Sequence, residues 1–382
     1  MRIGIEAQRI FREKRRGMDV VVVELIKKLQ EVDHENEYFI FVKEGDNDAV
    51  IQEKSNFTIV RLDKAPYPYW EQVLLVKAVA QYRIEVLHCT SNTAPLKINI
   101  PLVLTLHDII YLEKLNLTKG SAYQIFGNLY RRWNVPKVVP RAARILTVSA
   151  YEKKKIDNHF RLDTKKVVTV YNGVADRFKP VDNESQRLAI RAKYDLPERF
   201  IFCLGNTDPR KNVAGMLRAM SILRKQGKLT VNVLFLGIDR NYLSQLIKGI
   251  DDPVLLEHAL FTGYVPEADL PVLYSLAEIF IYPSLREGFG IPILEAMSCG
   301  TPVITSNTSS MPEVAGEAAL LIDPYDPEDI ARSMDTLLND PVMQSELSAR
   351  GLERVRNFSW LNSAKKTLDV YNEIKREIPE KV

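Results

Sequence analysis

The sequence predicts an α/β protein with two open, doubly wound parallel sheets. At 382 residues, the chain exceeds the size at which one hydrophobic core keeps growing. Short runs rich in β-branched residues alternate with longer helical patterns from end to end, which is typical of βαβ units. These strand-like runs fall into two groups, separated by a charged stretch without strand character. We therefore expect one sheet in each half of the chain.

The first group of predicted strands is, in chain order, RIGIEA, YFIFV, FTIVRL, EVLHC, PLVLTLHD, RILTVS and KVVTVYNG. The second group is RFIFCLG, VNVLFLG, ALFTG, EIFIYPS, TPVITSN and AALLID. Between the groups, the charged stretch DRFKPVDNESQRLAIRAKYDLPER contains Pro180 and Pro197. It predicts a linker over 179–198, between a first domain at 1–178 and a second at 199–358. Residues 359–382 have helical spacing, and this helix is long enough to cross back to the first domain.

Composition places the protein among ordinary globular chains, with 46% hydrophobic and 26% charged residues. Cys89, Cys203 and Cys299 are far apart and lack CxxC spacing, which favours reduced thiols over disulfides or a zinc site. The first residues lack the layout of a signal peptide, and no apolar run approaches the length of a membrane span. We expect a cytoplasmic protein that does not cross a membrane.

Net charge is distributed unevenly. Residues 1–180 carry 30 Lys and Arg against 21 Asp and Glu, whereas the remaining residues carry 22 against 28. A basic half favours an anionic partner, such as a phospholipid surface, a pyrophosphate-linked lipid or a nucleic acid. The alternative is a scatter of solvated surface lysines.

Ligands of open α/β sheets bind beyond the carboxyl ends of the strands, so the residues that follow each strand are the informative ones. A nicotinamide-binding fingerprint would need G-x-G-x-x-G. The first strand is followed by EAQRIFREKRRG, with one glycine, and REGFGIPI lacks the third glycine. The sequence therefore argues against a dehydrogenase.

The first informative stretch is CLGNTDPRKNVAGMLRAM. Gly205 ends a strand, a polar turn follows, and Arg210 and Lys211 precede a helix predicted to begin near Asn212. Two cations beside a helix N-terminus suit a phosphate or pyrophosphate. The alternative is a basic pair in a surface loop.

The second stretch is YPSLREGFGIPILEAMSCG. Gly288 and Gly290 separate Glu287, in a predicted loop, from Glu295, near a predicted helix start. A carboxylate accepts hydrogen bonds, here most naturally from sugar hydroxyls. Alternatively, the helix dipole stabilises Glu295. After the next strand, Ser309, Ser310 and Met311 precede a short helix, with amides available to an anion or simply forming a capped turn.

These motifs resemble a known family. The run from Gly205 to Asp323 resembles the nucleotide-sugar domain of family-4 retaining glycosyltransferases of the GT-B fold, through PRKN, through the E-x7-E pattern of Glu287 and Glu295, and through MPEVAGEAALLIDPYDPEDIA. In the first half, TLHDIIYL, TVSAYEKKKI and VVTVYNGVADRFKP resemble strand ends of the acceptor domain. The resemblance implies two Rossmann-like domains facing a central cleft.

The resemblance also implies roles for individual residues. Lys211 and Arg210 would hold the donor diphosphate, Glu295 the ribose, and Glu287 the transferred sugar. Asn206 stands where many relatives have arginine, so any further phosphate cation would come from elsewhere. The implied donor-binding residues are Gly17, Asn206, Arg210, Lys211, Glu287, Gly288, Phe289, Gly290, Ile291 and Glu295.

His107, Glu287 and Lys211 are the implied catalytic residues. His107 would contact the donor sugar or the acceptor, unless it is simply a hydrogen-bonded histidine at a strand end. Asp108, Ser149 and Asn172 would line the cleft on the acceptor side. No metal and no cofactor are expected, because the nucleotide-sugar is a co-substrate and no D-x-D or His/Cys cluster resembles a metal site.

The implied reaction is hexosyl transfer with retention to a glycan or lipid-linked saccharide in polysaccharide biosynthesis. The leaving diphosphate would accept the proton, and Glu287 as a covalent nucleophile is the alternative. The variants HDIIYL and NTDPRKN are similar to the mannosyltransferase branch, which implies GDP-mannose, with a UDP-sugar as the alternative donor. A catalytically silent nucleotide-sugar-binding protein and a sugar-nucleotide epimerase are the competing functions.

Residues 119–145 interleave aromatic and basic side chains. Tyr123, Phe126, Tyr130 and Trp133 alternate with Arg131, Arg132, Lys137, Arg141 and Arg144. Such a segment suits peripheral contact with an anionic membrane, here the inner face of the plasma membrane. The alternatives are a packed helix with a solvated basic face and a nucleic-acid patch, and we expect no nucleic acid because no such module accompanies it.

Overall fold

The computed structural model describes residues 1–12, 17–44, 50–113, 122–163 and 165–377, with the side chains of 122–124 left out. The chain divides into two compact units. The first unit comprises Met1–Asn172 together with Trp360–Val382, and the second comprises Gly173–Ser359.

The secondary structure alternates between strands and helices throughout. The described strands are β1 Arg2–Glu6, β2 Glu37–Lys43, β3 Phe57–Leu62, β4 Val86–Cys89, β5 Leu102–Thr105, β6 Arg144–Thr147, β7 Val167–Thr169, β8 Phe200–Leu204, β9 Asn232–Leu236, β10 Ala259–Phe261, β11 Ile279–Tyr282, β12 Val303–Ser306 and β13 Ala319–Ile322. The described α-helices are α1 Gly17–Val32, α2 Tyr67–Tyr69, α3 Leu75–Gln81, α4 Ile110–Glu113, α5 Ala122–Val138, α6 Ala150–Phe160, α7 Glu184–Tyr194, α8 Val213–Lys225, α9 Arg240–Lys248, α10 Leu270–Leu276, α11 Ile291–Ser298, α12 Met311–Ala315, α13 Pro327–Leu338, α14 Pro341–Arg354 and α15 Trp360–Glu377. Each predicted strand run overlaps one of these strands.

The first unit contains a parallel sheet with strand order β3-β2-β1-β4-β5-β6-β7. Alternate residues of β5 enter different hydrophobic clusters, because side chains of a strand point to opposite faces. Leu102 and Leu104 belong to one cluster and Val103 to the other. Both faces are therefore buried, as expected for a doubly wound parallel sheet. The strand order reverses between β1 and β4, which is where such sheets bind ligands.

The C-terminal helix α15 belongs to the first unit and packs against α1. Tyr371 on this helix lies within the core, where its Oη is 2.6 Å from Nδ1 of His88 in β4. The Nε2 atom of His88 is 2.7 Å from Oγ1 of Thr105. Burial lowers the pKa of His88 to about 3, so the ring is neutral and has one donor and one acceptor nitrogen.

The second unit contains a parallel sheet with strand order β10-β9-β8-β11-β12-β13, which reverses between β8 and β11. The two sheets confirm the prediction of two doubly wound α/β domains. Asn339 and Asp340 separate α13 from α14. None of the helices in the described part of the chain is long and apolar enough to span a membrane.

The segment predicted as a linker over 179–198 is partly helical in the structure. Helix α7 lies within it, belongs to the second unit and packs against α10. Two of its polar side chains bind one carboxylate of the second unit. Lys193 Nζ donates to Asp269 at 2.6 Å, and Tyr194 Oη donates to the same group at 2.5 Å. The charge content that suggested a linker therefore forms an exposed helix face, while Ile190 is buried.

Candidate functional site

Three loops of the second unit form the candidate site. They follow β8, β11 and β12, at the carboxyl ends of neighbouring parallel strands. The strand order reverses between β8 and β11, so the first two loops flank the position where doubly wound sheets bind ligands.

The loop after β8 is tightly fixed. A Cβ at Gly205 would lie 2.6 Å from the Ile238 side chain, so packing requires glycine there. Asn206 Oδ1 accepts the Asp208 amide at 2.8 Å, which closes the turn. Asp208 then caps the 3-10 turn Pro209–Lys211 by accepting the Arg210 amide. Asn206 thus has a local structural role.

Arg210 folds back onto Asp208. Its Nη2 donates to Asp208 Oδ2 at 2.7 Å, and its Nε donates to the same oxygen at 3.1 Å. Burial raises the pKa of Asp208, but the hydrogen bonds from Arg210 outweigh burial and hold that pKa below its ordinary value. The guanidinium is therefore held in one orientation at the start of α8.

Lys211 reaches across from the loop after β8 to the next strand. Its Nζ donates to Glu287 Oε1 at 2.8 Å and to Tyr282 Oη at 2.5 Å. The Lys211 and Glu287 side chains are 17% and 14% exposed, so the ion pair is largely removed from water. Burial alone would lower the pKa of Lys211, but the contacts with Tyr282 and Glu287 outweigh it and raise that pKa above its ordinary value. Lys211 is a permanently charged, partly buried ammonium group.

The loop that carries Glu287 is braced by the loop after β12. Ser309 Oγ accepts the Glu287 amide at 3.1 Å, and Ser310 Oγ donates to the carbonyls of Glu287 and Phe289 at 3.0 and 2.8 Å. Gly290 has φ 108°, a conformation that favours glycine, and it directly precedes α11. These contacts give both serine hydroxyls a bracing role that the sequence did not indicate.

Glu295 lies in the second turn of α11, because this helix begins at Ile291. Glu295 thus lies close to the helix start but beyond its first turn, so the helix dipole does not explain its position. Glu295 Oε2 accepts a hydrogen bond from Tyr274 Oη at 2.9 Å. Burial raises the pKa of Glu295 to about 7, although the bond from Tyr274 acts in the opposite direction.

The structure brings Lys211 and Glu287 together. Gly288, Phe289 and Gly290 join Glu287 to α11, and Ile291 is the first residue of that helix. Phe289 is 4% exposed and packs against Phe358 with ring centroids 5.8 Å apart. Sequence reasoning missed Tyr282 and Tyr274. Tyr282 ends a buried strand, and that position at a carboxyl end was the available signal.

His107 of the first unit follows β5. Its amide donates to Asn92 Oδ1 at 2.7 Å, and its Nε2 donates to the Thr90 carbonyl at 2.9 Å. Burial lowers the pKa of His107 below its ordinary value. A neutral ring that donates from Nε2 keeps Nδ1 as its accepting nitrogen. The sequence analysis also did not identify Asn92, which has φ 71°.

The other predicted residues of the first unit have local roles. Asp108 Oδ1 accepts the Ile110 amide at 3.1 Å at the start of α4. Ser149 is fully buried and caps α6 by accepting the Glu152 amide at 3.1 Å. Asn172 is 5% exposed at the end of the unit.

Gly17 is the first residue of α1. A Cβ there would meet nothing within 4 Å, so packing does not require glycine. The open space is compatible with the predicted approach of a ligand to this backbone.

The second unit offers a partly buried cation and an oriented guanidinium after β8, one carboxylate in the loop after β11 and a second carboxylate in α11. The cations suit a phosphate or diphosphate, and the carboxylates suit hydroxyl groups. Among the residues that the structure describes, no group of three His, Cys, Asp or Glu is arranged to hold a metal ion.

Two family models match the chain, one in each half. The model described as "Glycosyl transferases group 1" matches residues 186–354, and "Glycosyltransferase Family 4" matches residues 15–178. The first match contains the Lys211 and Glu287 loops, and the second contains His107.

Curated relatives include two mannosyltransferases from Escherichia coli. The chain is 34% identical to O-antigen chain mannosyltransferase B over 63% of its own length and 64% of the relative. It is 32% identical to the serotype-specific mannosyltransferase WbdA over 70% of its length and 33% of the relative. The chain thus spans less than two thirds of either mannosyltransferase. D-inositol 3-phosphate glycosyltransferase from Salinispora tropica is 27% identical, over 94% of this chain and 81% of the relative.

Solved structures match nearly the whole chain. Sucrose-phosphate synthase from Thermosynechococcus elongatus has a TM-score of 0.76 at 20% identity, covering 99% of this chain and 100% of that one. HepE from Anabaena, in complex with UDP and glucose, has a TM-score of 0.74 at 17% identity, covering 97% and 99%. At these identities the likeness concerns the fold, which is the GT-B arrangement of two Rossmann-like domains.

Proposed function

We propose that this chain, which belongs to the group 1 and family 4 glycosyltransferases, transfers mannose from GDP-mannose to a hydroxyl of a glycan or lipid-linked saccharide, with retention of configuration. The Lys211–Glu287 pair carries the proposal. A buried ammonium group and a carboxylate lie 2.8 Å apart at the point where the second sheet reverses. Donor diphosphate and donor sugar need groups of these two kinds.

Lys211 and Arg210 hold the diphosphate in this proposal. Each cation is paired with a carboxylate of its own unit, Glu287 for Lys211 and Asp208 for Arg210. A diphosphate offers these cations stronger acceptor oxygens and a higher charge. As the bond to the sugar breaks, negative charge grows on the diphosphate, and a fixed, poorly hydrated ammonium stabilises it.

Glu287 and Glu295 bind hydroxyls of the donor. When Lys211 contacts the diphosphate, Glu287 has acceptor capacity for a hydroxyl of the mannose. Glu295 is assigned to the ribose, with Tyr274 fixing one of its carboxylate oxygens.

In the proposed reaction, the bond from C1 of mannose to the diphosphate breaks and a bond from C1 to the acceptor oxygen forms on the same face. The acceptor hydroxyl gives its proton to a diphosphate oxygen, which leaves as GDP. Glu287 as a covalent nucleophile is the alternative route. No resident metal or cofactor is proposed.

Mannose is supported by the two mannosyltransferases among the relatives. A UDP-sugar is the alternative donor, since HepE, a structural neighbour, is described in complex with UDP and glucose. A mannosyltransferase that builds O-antigen chains acts on a glycan, which supports a saccharide acceptor and a role in polysaccharide biosynthesis here.

Peripheral contact with an anionic membrane is proposed through α5. Phe126, Leu129 and Trp133 are 59%, 46% and 48% exposed on this helix, and Lys137 Nζ lies 4.0 Å from the centroid of the Trp133 indole. Exposed apolar rings beside a cation suit the interface of an anionic bilayer. A cytoplasmic location at the inner face of the plasma membrane is part of this proposal.

Other basic residues of the 119–145 segment serve the fold. Arg132 donates to the Tyr111 carbonyl, Arg141 to the Leu96 carbonyl, and Arg144 pairs with Glu377. Residues 119–121 lie outside the described residues, and the Tyr123 side chain is likewise not described. The membrane surface proposed here is therefore limited to the exposed part of α5.

An assay with a panel of donors tests the proposed function. The full chain is incubated with GDP-mannose, UDP-glucose or ADP-glucose and a mannobiose acceptor, and the products are followed by mass spectrometry. We expect a trisaccharide and GDP, with an α-linkage by NMR. Nucleotide binding without any product would favour a silent binding protein, and interconversion of the donor sugar without an acceptor would favour an epimerase.

A further inference from the structure

A second polar cluster lies in the first unit, and none of the predicted site residues belongs to it. Its centre is Glu71, which is fully buried and lies in the π-helix Trp70–Leu74, between α2 and α3. A π-helical turn is rare and often marks a functional position.

Each oxygen of Glu71 accepts two hydrogen bonds. Oε1 accepts from Tyr130 Oη at 2.6 Å and from Gln72 Nε2 at 2.8 Å. Oε2 accepts from Tyr67 Oη at 2.7 Å and from Thr93 Oγ1 at 2.5 Å. Burial raises the pKa of Glu71, and these four donors act against that rise because each stabilises the carboxylate.

The donors have no further protons to offer from their hydroxyls. A tyrosine hydroxyl has one proton and two lone pairs. Tyr130 Oη donates to Glu71 and accepts from Gln72 Nε2 at 2.8 Å. Tyr67 Oη lies 2.7 Å from both Glu71 Oε2 and Thr93 Oγ1, so the protons of both tyrosines are used inside the cluster. Both tyrosines are partly exposed. Towards a ligand, their phenolic oxygens are therefore acceptors only. A sugar hydroxyl can donate to them, whereas an ionised phosphate oxygen has no proton to give.

The position of the cluster relates it to ligand binding. Thr93 follows β4, and Glu6 ends β1, so they flank the reversal of strand order in the first sheet. Glu6 is fully buried and is close enough to Glu71 for the two charges to oppose each other. Arg9 lies 4.8 Å above the Tyr67 ring, and its charge acts on Glu6.

The tyrosines also offer ring faces. The Tyr67 and Tyr130 rings meet edge to face with centroids 5.8 Å apart, and the half-exposed Trp133 ring lies 5.7 Å from Tyr130. Aromatic faces pack well against the apolar C–H face of a pyranose ring, and they gain nothing from a phosphate.

We infer that Glu71 is a positioning residue that sets the acceptor specificity of this chain: by holding the protons of Tyr67 and Tyr130, it selects the hydroxyls of an uncharged saccharide over a phosphorylated acceptor. The inference rests on the proposed function and assigns the substrate class of its acceptor. It separates this chain from its relative named for inositol 3-phosphate.

Steady-state kinetics with two acceptors test this assignment, using α-mannobiose as the neutral probe and mannose 6-phosphate as the charged one. The full chain is compared with Glu71→Gln, Tyr130→Phe and the matched control Tyr82→Phe. Tyr82 packs on Phe39 and precedes β4. It therefore lies at the amino end of that strand, whereas Thr93 of the cluster follows its carboxyl end. GDP dissociation constants are measured by calorimetry for each variant.

We expect Tyr130→Phe and Glu71→Gln each to raise KM for mannobiose about tenfold, the factor of one lost hydrogen bond. The GDP dissociation constant should not change. Glu71→Gln should also narrow the preference for mannobiose over mannose 6-phosphate, because an amide leaves a tyrosine proton free to reach a phosphate. Tyr82→Phe should match the wild type.

Equal or better use of mannose 6-phosphate by the wild type would overturn the inference, as would an unchanged mannobiose KM in Tyr130→Phe. A loss of kcat and GDP affinity together with a lower Tm in Glu71→Gln would assign the cluster a structural role only. If the wild type transfers sugar from no donor, the proposed function fails instead. Binding of mannobiose in the presence of GDP, followed by saturation-transfer NMR in wild type and Tyr130→Phe, then still decides the acceptor assignment.

Discussion

Lys211 Nζ and Glu287 Oε1 lie 2.8 Å apart, although the two residues belong to loops after different strands. The pair joins the two loops that flank the reversal of the second sheet. Removing one partner from a largely buried pair leaves the other charge without compensation. The pair therefore links the stability of the site to its proposed chemistry.

Replacing Lys211 by alanine should lower kcat/KM by about 100-fold or more, the usual loss when a group that stabilises a leaving charge is removed. Affinity for GDP should fall in the same variant, because the diphosphate loses its cation. Transfer assays and calorimetry measure the two effects. The matched control is Lys228→Ala, which removes a surface lysine paired with Asp335 at 2.6 Å. Unchanged kcat/KM in Lys211→Ala would contradict the diphosphate assignment.

Glu295 should contribute to nucleotide affinity through the ribose. In a double-mutant cycle, GDP and 2′,3′-dideoxy-GDP are titrated into wild type and Glu295→Gln. We expect the wild type to prefer GDP by about tenfold, the effect of one hydrogen bond to a charged group. The preference should shrink in Glu295→Gln. Additive effects of the two changes would place the ribose elsewhere.

Glu6 should make stability depend on pH. Burial raises its pKa from the ordinary 4.5 to about 7, so the folded state favours the protonated form. A raised carboxyl pKa contributes stability below pH about 4.5 that is lost as the pH rises through about 7. Glu6→Gln should therefore raise Tm relative to wild type more at pH 8 than at pH 5. Glu353→Gln, at a surface position with a 70% exposed side chain, is the control. A constant difference across this range would argue against a raised pKa.

Tyr371→Phe should destabilise the first unit. The substitution removes the hydroxyl that lies 2.6 Å from the buried Nδ1 of His88 and leaves that nitrogen unsatisfied. We expect a loss of about 1–3 kcal/mol in the free energy of unfolding, measured by denaturant titration. His88→Phe in the Tyr371→Phe background should recover part of this loss, because both polar partners are then gone.

Helix α5 should carry the membrane contact. Co-sedimentation with vesicles containing phosphatidylglycerol should retain the wild type, and Trp133→Ala combined with Phe126→Ala should weaken retention. Neutral phosphatidylcholine vesicles and high salt should weaken it as well, because part of the attraction is electrostatic. Equal retention of the double variant would remove α5 from the interface. Tyr325→Ala, which removes a ring 69% exposed in the second unit, serves as the control.

The strands and the two carboxylates of the E-x7-E pattern were predictable because their signals are local. Strand runs show in short windows of β-branched residues, and glycines beside a carboxylate mark a loop. The partners of the site residues were not predictable in this way. Tyr282 is 71 residues from Lys211 along the chain, and Tyr130 is 59 from Glu71. Such pairs depend on strand order, which one sequence does not reveal.

Composition alone does not distinguish a linker from a charged helix. Charge along α7 suggested a linker, because a solvated helix face and a linker have similar composition. For Glu295 the sequence indicated a position near a helix start but not its hydrogen-bond partner. The structure moves this carboxylate into the second turn of α11, where Tyr274 binds it.

Helix α15 has a consequence for the order in which the two units fold during synthesis on the ribosome. The second unit is one continuous segment, Gly173–Ser359, whereas the first unit needs both the start of the chain and the segment from Trp360. A chain emerging from its N-terminus can complete the second unit while α15 is still unmade. Until Tyr371 emerges, His88 has no hydroxyl beside its Nδ1, and the face that α1 offers to α15 stays uncovered. We expect the half of the chain that is translated first to finish folding last.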